Sequence, residues 1–147
     1  MSATLTVRPA TAADLDQVKS LLVSNQLPID GLEEQFGAPY VVADAAGTIV
    51  AAEGVERYDD AGLLRSAVVA QEWRGQRLGE RLTRERLVWA RDQGMREVWL
   101  LTTTAADYFP RFGFTRVARD TAPEAIQRSR EFREACPASA VAMRLQL

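Results

Sequence analysis

Between Leu63 and Leu82 an apolar, β-prone run, Leu63-Leu64-Arg65-Ser66-Ala67-Val68-Val69, passes through Arg74-Gly75-Gln76-Arg77-Leu78-Gly79 into residues spaced as a helix. A buried strand that feeds a glycine-bearing turn and then a helix constrains most of the chain. The strand needs sheet neighbours, the helix packs back on that sheet, and the turn leaves the first N–H groups of the helix without partners. Those N–H groups and the positive end of the helix dipole favour an anion, and Gly75 and Gly79 allow close backbone approach. Arg74, Arg77, Arg81 and Arg84 recur at i, i+3 and i+4 steps, so a ligand with several phosphates would meet both backbone and guanidinium groups. The same arginines also read as a solvated face beside Glu80 and Glu85. The turn lacks the Gly-Lys-Ser/Thr of a P-loop and the three spaced glycines of a dinucleotide fingerprint.

The elements around this unit follow from hydrophobic spacing. Thr4–Arg8 alternates as a strand, and Thr11 with Asp14 makes a helix start ahead of Leu15, Val18, Leu21 and Leu22. A short helix is expected over Leu32–Phe36. Two β-rich runs, Tyr40–Asp44 and Thr48–Ala52, flank Ala45-Ala46-Gly47 and form a hairpin, with the second strand continuing towards Glu56 or Arg57. Asp59-Asp60-Ala61-Gly62 is a turn before the strand Leu63–Val69, completing a three-stranded meander. Leu78, Leu82 and Trp89 define a helix that stops at Gly94. A buried strand at Glu97–Thr103 follows, then a short helix near Ala105–Phe112, a strand at Gly113–Val117, a helix opened by Pro123 that ends before Cys136-Pro137, and a half-buried strand Val141–Leu147. The order β-α-(α)-β-β-β-α-β-α-β-α-β predicts a mixed α/β protein, and 147 residues fit a single domain over 1–147.

Composition removes several function classes. Histidine is absent and Cys136 is the only cysteine, which excludes Ser-His and Cys-His nucleophilic pairs, histidine-based zinc sites and four-cysteine clusters. No metal is expected. An isolated cysteine also reads as inert core rather than as an acyl-carrying nucleophile. A net charge of −2 gives no electrostatic ground for nucleic-acid or membrane binding. The N-terminus lacks the basic and apolar regions of a signal peptide, and no apolar run approaches the ~18 residues that span a bilayer. A soluble, cytoplasmic protein is the expectation. Seventeen of the eighteen basic residues are arginine, a skew that suits phosphate recognition and equally follows from codon usage.

Arg74-Gly75-Gln76-Arg77-Leu78-Gly79, placed directly after a strand and opening a helix, resembles the Arg/Gln-x-x-Gly-x-Gly/Ala signature of the GNAT superfamily of acetyl-CoA-dependent N-acetyltransferases. Arg77 stands where the signature has its inner glycine. Tyr108-Phe109-Pro110-Arg111-Phe112-Gly113-Phe114 resembles the family's Phe-Tyr-x-x-x-Gly-Phe, with Phe109 where the family commonly has an acid tyrosine and Tyr108 one residue away. The resemblance spans nearly the whole chain. It implies a mostly antiparallel sheet of six to seven strands flanked by helices, with the fourth and fifth strands splayed to hold acetyl-pantetheine. Backbone groups of Ala67, Val68 and Val69 would bind the pantetheine arm, and Arg74, Gly75, Gln76, Arg77, Leu78 and Gly79 the pyrophosphate. A homodimer is implied by resemblance alone. The strings Leu63-Leu64-Arg65-Ser66, Leu100–Ala105 and Cys136–Val141 resemble the small arsenic-resistance N-acetyltransferases, which implies a small amine acceptor such as an arsenic- or phosphorus-containing glutamate analogue. One cysteine does not build a multi-thiolate arsenite site.

Acetyl transfer to an amine needs a neutral nucleophile, a polarised thioester and a proton for the departing thiolate. Without histidine the base is a carboxylate or solvent. Glu56 is the first candidate and Glu53 the second; on a regular strand the two face opposite sides, so one at most faces the cleft. Tyr108 is the substitute acid, and a backbone N–H near Val69 the polarising group. Arg65 reads as a clamp for a substrate carboxylate or as one half of an ion pair with Asp59, Asp60 or Glu56; it shares regular-strand parity with Ala67 and Val69. Thr103 ends the fifth strand near the acceptor. Direct transfer in a ternary complex fits the absence of an activated nucleophile. An acyl-CoA-binding module without catalysis and a protein N-acetyltransferase are the alternatives.

Overall fold

The helix start at Thr11 is built as its residues dictate. The Thr11 N–H donates to Asp14 Oδ2 at 2.8 Å, and Arg8 forks onto the same carboxylate at 2.8 and 2.9 Å. The Arg8 guanidinium holds the Asp14 carboxyl down at about 2. The computed structural model describes residues 4–135, 137 and 139–147. The terminal residues Met1–Ala3, Cys136 and Ala138, on which some of the sequence expectations fall, lie outside the described residues.

Strand β1 (Leu5–Pro9) leads to α1 (Leu15–Ser24), then the hairpin β2 (Tyr40–Ala45) and β3 (Thr48–Tyr58), and β4 (Ala61–Val69). Helix α2 (Leu78–Asp92), β5 (Glu97–Thr102), β6 (Thr115–Val117), the short α3 (Glu124–Gln127) and β7 (Val141–Gln146) follow. The strands form one seven-stranded sheet in the order β1-β2-β3-β4-β5-β7-β6. Every pairing among the described residues is antiparallel except β4 with β5. Helix α1 buries Val18 and Leu22 against Tyr40, Val42 and Ala52 on one face, while α2 buries Leu78 and Leu82 against Val41, Val50 and Ala51 on the other.

Two irregularities shape the centre of the sheet. Strands β4 and β5 pair only from Ala61–Leu63 to Glu97–Trp99; beyond those positions they diverge, and the ladder between them stops. A bulge also interrupts β4. Gly54 lies opposite Arg65 but Ala52 opposite Val68, so Ser66 and Ala67 together oppose Glu53, with Ser66 at φ 61°. The extra residue reverses the alternation. Arg65 therefore shares a face with Val68, and not with Ala67 and Val69 as regular parity required.

Several local expectations are corrected. Strand β4 begins at Ala61, with Asp59 in the left-handed region completing a two-residue turn. Only Phe109–Phe112 of the short segment near Ala105–Phe112 is helical, as one 3₁₀ turn; the Ala105 N–H bonds Thr102 Oγ1 instead. The segment opened by Pro123 does not run as one helix. After α3 the Ser129 hydroxyl takes the Phe132 N–H and Arg119 donates to the Phe132 and Pro137 carbonyls, side-chain bonds that compete with a continuous helical ladder. A π turn, Glu131–Ala135, results.

Candidate active site

The divergence of β4 and β5 opens a cleft of about 810 Å³ at the sheet centre, within the range of small-molecule sites. Ala67, Val68 and Val69 line one wall and Thr102, Thr103 and Thr104 the other. The α2 N-terminus closes one end, contributing Arg74, Gly75, Arg77, Leu78 and Gly79. Gln76 does not line the cleft. Gly75 has φ 82°, and a Cβ placed on it would meet nothing within 4 Å, leaving room for a ligand to approach the backbone. Arg74 Nε donates to the Val69 carbonyl at 3.1 Å, and its terminal nitrogen bonds Asn25 Oδ1. Arg84 lies over the Phe112 ring and pairs with Glu80.

Arg77 holds the backbone that a glycine would adopt without strain, φ 61° and ψ 21°, immediately before α2. A left-handed residue with a Cβ costs roughly 1–2 kcal/mol. Arg77→Gly is therefore expected to be about 1 kcal/mol more stable than Arg77→Ala, since both lose the charge and only one loses the strain. Denaturant unfolding of the two variants measures the difference; equal midpoints would remove the strain argument.

The two glutamates of β3 are both 1% exposed and face opposite sides of the sheet. Glu56 does not line the cleft. Its oxygens accept hydrogen bonds from Tyr40 at 2.6 Å and Tyr58 at 2.9 Å, so it is tied up behind the sheet, contrary to its place as first candidate base. Burial and the Glu56 carboxylate push both phenols up. Glu53 points to the α2 side and lines the cleft. Thr83 Oγ1 donates to its Oε1 at 2.8 Å, and burial pushes its carboxyl up to about 8 against the pull of Thr83 and Arg86.

Tyr108 and Phe109 both reach the cleft, but differently. Phe109 is buried against Phe114 and Met143 in the core. The Tyr108 hydroxyl lies 3.7 Å from where a Cβ on Gly79 would stand, at the first turn of α2, and burial followed by the Glu53 charge pushes the phenol up. Arg111 covers its ring at 4.2 Å.

Arg65 is 3% exposed and lines the cleft. Its Nη1 stands 3.8 Å from Glu56 Oε2 and its Nε 3.5 Å from Glu131 Oε1. Among the described residues, two buried side-chain atoms have no hydrogen-bond partner: Glu53 Oε2 and Arg65 Nη2. Both belong to side chains of this one cleft. Sequence reasoning missed Thr83 and Glu131, which reach the site from elements 30 positions from Glu53 and 66 from Arg65, separations that carry no local signal. Among the described residues there is no group of acidic or thiol side chains that would hold a metal ion, and no helix is long and apolar enough to cross a membrane.

The family model for the GNAT acetyltransferase domain matches residues 37–116, from the loop before β2 through the bulge, the cleft turn and Tyr108 to β6. The chain belongs to the GNAT acetyltransferase family. GNAT structures share its fold throughout. N-acetylglutamate synthase from Neisseria gonorrhoeae, solved with coenzyme A and N-acetyl-glutamate, superposes with a TM-score of 0.82 over 100% of this chain at 18% identity. The chain spans 36% of that enzyme's length. Rv2747 from Mycobacterium tuberculosis, solved with CoA, gives a TM-score of 0.79 at 23% identity, covering 97% of this chain and 99% of its own. A GNAT acetyltransferase from Staphylococcus aureus gives 0.80 at 14% identity, covering 98% and 99%. No match to a curated protein was found. The present GNAT chain has the mixed α/β fold and the splayed strand pair that the resemblance implied.

Proposed function

We propose that residues 1–147 form one acetyltransferase domain that N-acetylates a small amine bearing a carboxylate or a comparable oxyanion, by direct transfer in a ternary complex. The observation that carries this reading is the pair of unpartnered buried atoms in the cleft, one on a carboxyl and one on a guanidinium. A buried polar group without a partner costs about 1–3 kcal/mol, and an acceptor with an amine at one end and an oxyanion at the other satisfies both. Amino acids fit, as do glutamate analogues in which arsenic or phosphorus carries the acid, because a guanidinium fork serves either oxyanion. N-acetyl-glutamate in the Neisseria structure is consistent with such an acceptor.

The cleft suits acetyl-CoA, which supplies the acetyl thioester. The backbone of Ala67, Val68 and Val69 has no ladder partner across the β4–β5 gap and faces an extended amide-bearing arm there, with the Val69 carbonyl already accepting from Arg74. The turn from Arg74 to Gly79, with Gln76 on its outer side, presents N–H groups and guanidinium groups to a pyrophosphate. A backbone N–H near Val69 polarises the thioester carbonyl. Glu53 takes the proton of the acceptor ammonium, Tyr108 keeps a proton for the departing thiolate, and Arg65 orients the acceptor with Thr103 beside it. In this assignment Glu53 replaces Glu56, which anchors Arg65 from behind. The domain works in the cytoplasm on a small molecule and uses neither nucleic acid nor membrane.

The test is acetyl-CoA consumption, followed as free thiol, across amino acids, glutamate analogues, polyamines and aminoglycosides. Turnover is expected with amines that carry an acid group and to be at least about tenfold weaker with their decarboxylated counterparts, a loss suited to one charge-assisted pair. Turnover confined to polyamines or aminoglycosides would overturn the acceptor class. Tight CoA binding with no turnover on any amine would favour a binding module instead.

A further inference from the structure

The Arg65 guanidinium already has two carboxyl neighbours before any acceptor arrives. Glu56 stands behind it at 3.8 Å, and Glu131, 3% exposed and lining the cleft, stands at 3.5 Å. A carboxylated acceptor reaching the unpartnered Nη2 would be the third carboxylate around one guanidinium, in a site with little water. Like charges gathered this closely do not all ionise together.

We propose that Glu131 is a specificity-determining residue of the acceptor site: it is the resident carboxylate on Arg65, and an acceptor carboxylate enters together with one solvent proton that Glu131 takes up. The inference rests on the reading of Arg65 as the acceptor's oxyanion clamp.

Geometry singles out Glu131 rather than Glu56. Both Glu56 oxygens already accept phenolic hydrogen bonds from Tyr40 and Tyr58, and Glu56 lies outside the cleft. The groups facing Glu131 are Arg65 on β4, Glu56 on β3 and Asp30 on the segment between α1 and β2. Arg130, its neighbour in sequence, pairs with Glu34 at 3.0 Å. Burial, opposed by Arg65 and reinforced by Glu56 and Asp30, pushes the Glu131 carboxyl up to about 7. The group is therefore poised between its charged and neutral forms at physiological pH, and neutral Glu131 offers an O–H where its carboxylate would repel. Its placement is firm, because Phe132 packs with Leu63, Trp99 and Ile126 and Arg119 bonds the Phe132 carbonyl at 2.5 Å.

The experiment uses the CoA-saturated protein and glutarate, a dicarboxylate with no amine to acetylate, titrated calorimetrically between about pH 6.5 and 9 in buffers of different ionisation enthalpy. Glutarate is fully ionised over this range, so proton uptake belongs to the protein. Wild-type affinity is expected to fall towards tenfold per pH unit above about 7, with about one proton taken up per glutarate near pH 8. Glu131→Gln is expected to bind glutarate about tenfold tighter at pH 8 and to take up no proton. A wild-type protein that binds glutarate without proton uptake, or a Glu131→Gln protein that keeps the pH slope, overturns the proposal. Loss of binding in Arg65→Ala alongside either result would leave the clamp standing and reject only the role of Glu131. Absence of glutarate binding at every pH, or equal binding in wild type and Arg65→Ala, would reject the clamp and this inference with it. If Glu131→Gln fails to fold, judged by its CoA binding, the wild-type proton count decides.

Discussion

Replacing Glu53 by glutamine is expected to lower kcat/KM about 10²–10³-fold, within the range of a positioned acid or base, while CoA affinity stays unchanged. The amide would keep the size of the side chain and the acceptor for Thr83 Oγ1, and lose only the capacity to take a proton. Because burial pushes the wild-type carboxyl up to about 8, kcat/KM should rise with pH through that value, and the rise should vanish in Glu53→Gln. In Tyr108→Phe the loss should appear instead in the release of the thiol. The same carboxyl also governs stability. The folded chain holds the Glu53 proton to higher pH than the unfolded chain, whose carboxyl titrates near 4.5, so this residue favours the native state most at low pH and loses that advantage as pH rises towards about 8. Thermal melting of wild type and Glu53→Gln across that window reads the effect directly. A variant with wild-type kcat/KM and an unaltered pH profile would remove Glu53 from the chemistry.

Gly54→Ala carries the largest expected structural effect. Gly54 follows Glu53 on β3, and a Cβ there would stand 2.4 Å from Tyr40 Cε2 and 2.5 Å from Cζ. Tyr40 is fully buried, stacks near Phe36 and is fastened to Glu56 through its hydroxyl, so the ring has nowhere to retreat. Overpacking a rigid core of this kind costs about 3 kcal/mol, which for a chain of this size lowers Tm by about 10 °C. Gly75→Ala, with open space around it, meets no such contact and tests only the positive φ. A Gly54→Ala protein within about 1 kcal/mol of wild type would show that Tyr40 can move.

The architecture was legible because its determinants are local. Hydrophobic alternation placed the strands, the Thr11–Asp14 pair placed the first helix, and the Arg74–Gly79 turn announced the cleft. Regular alternation also put Glu53 and Glu56 on opposite faces, as they are. What it did not carry was the bulge at Ser66–Ala67, where neither residue is a glycine and Ser66 takes the left-handed conformation without a compositional cue. That one residue turned Arg65 to the face of Val68 and made the regular-strand parity wrong. Which of the two glutamates faces the cleft was not legible for another reason: Glu56 is held by Tyr40 and Tyr58, and Glu53 lines the cleft, through contacts distant in sequence. Glu131 was invisible because a helical pattern and a π turn have the same residues, and only its distance to Arg65 gives it meaning.

The place of β7 in the sheet has a consequence for what each wall of the cleft rests on. The meander from β1 to β4 pairs within itself except at the three positions where β4 meets β5, so the strands bearing Glu53, Arg65 and the bulge draw nearly all their ladder from residues 5–69. β5 gains just three parallel partners from β4 and takes six from β7, which also supplies the three of β6. The wall of the cleft that bears Thr102 and leads into Tyr108 thus depends for most of its ladder on residues 141–146. A chain stopped short of them would leave β5 with only its three contacts to β4, and the β4 side of the cleft would face no ordered opposite wall.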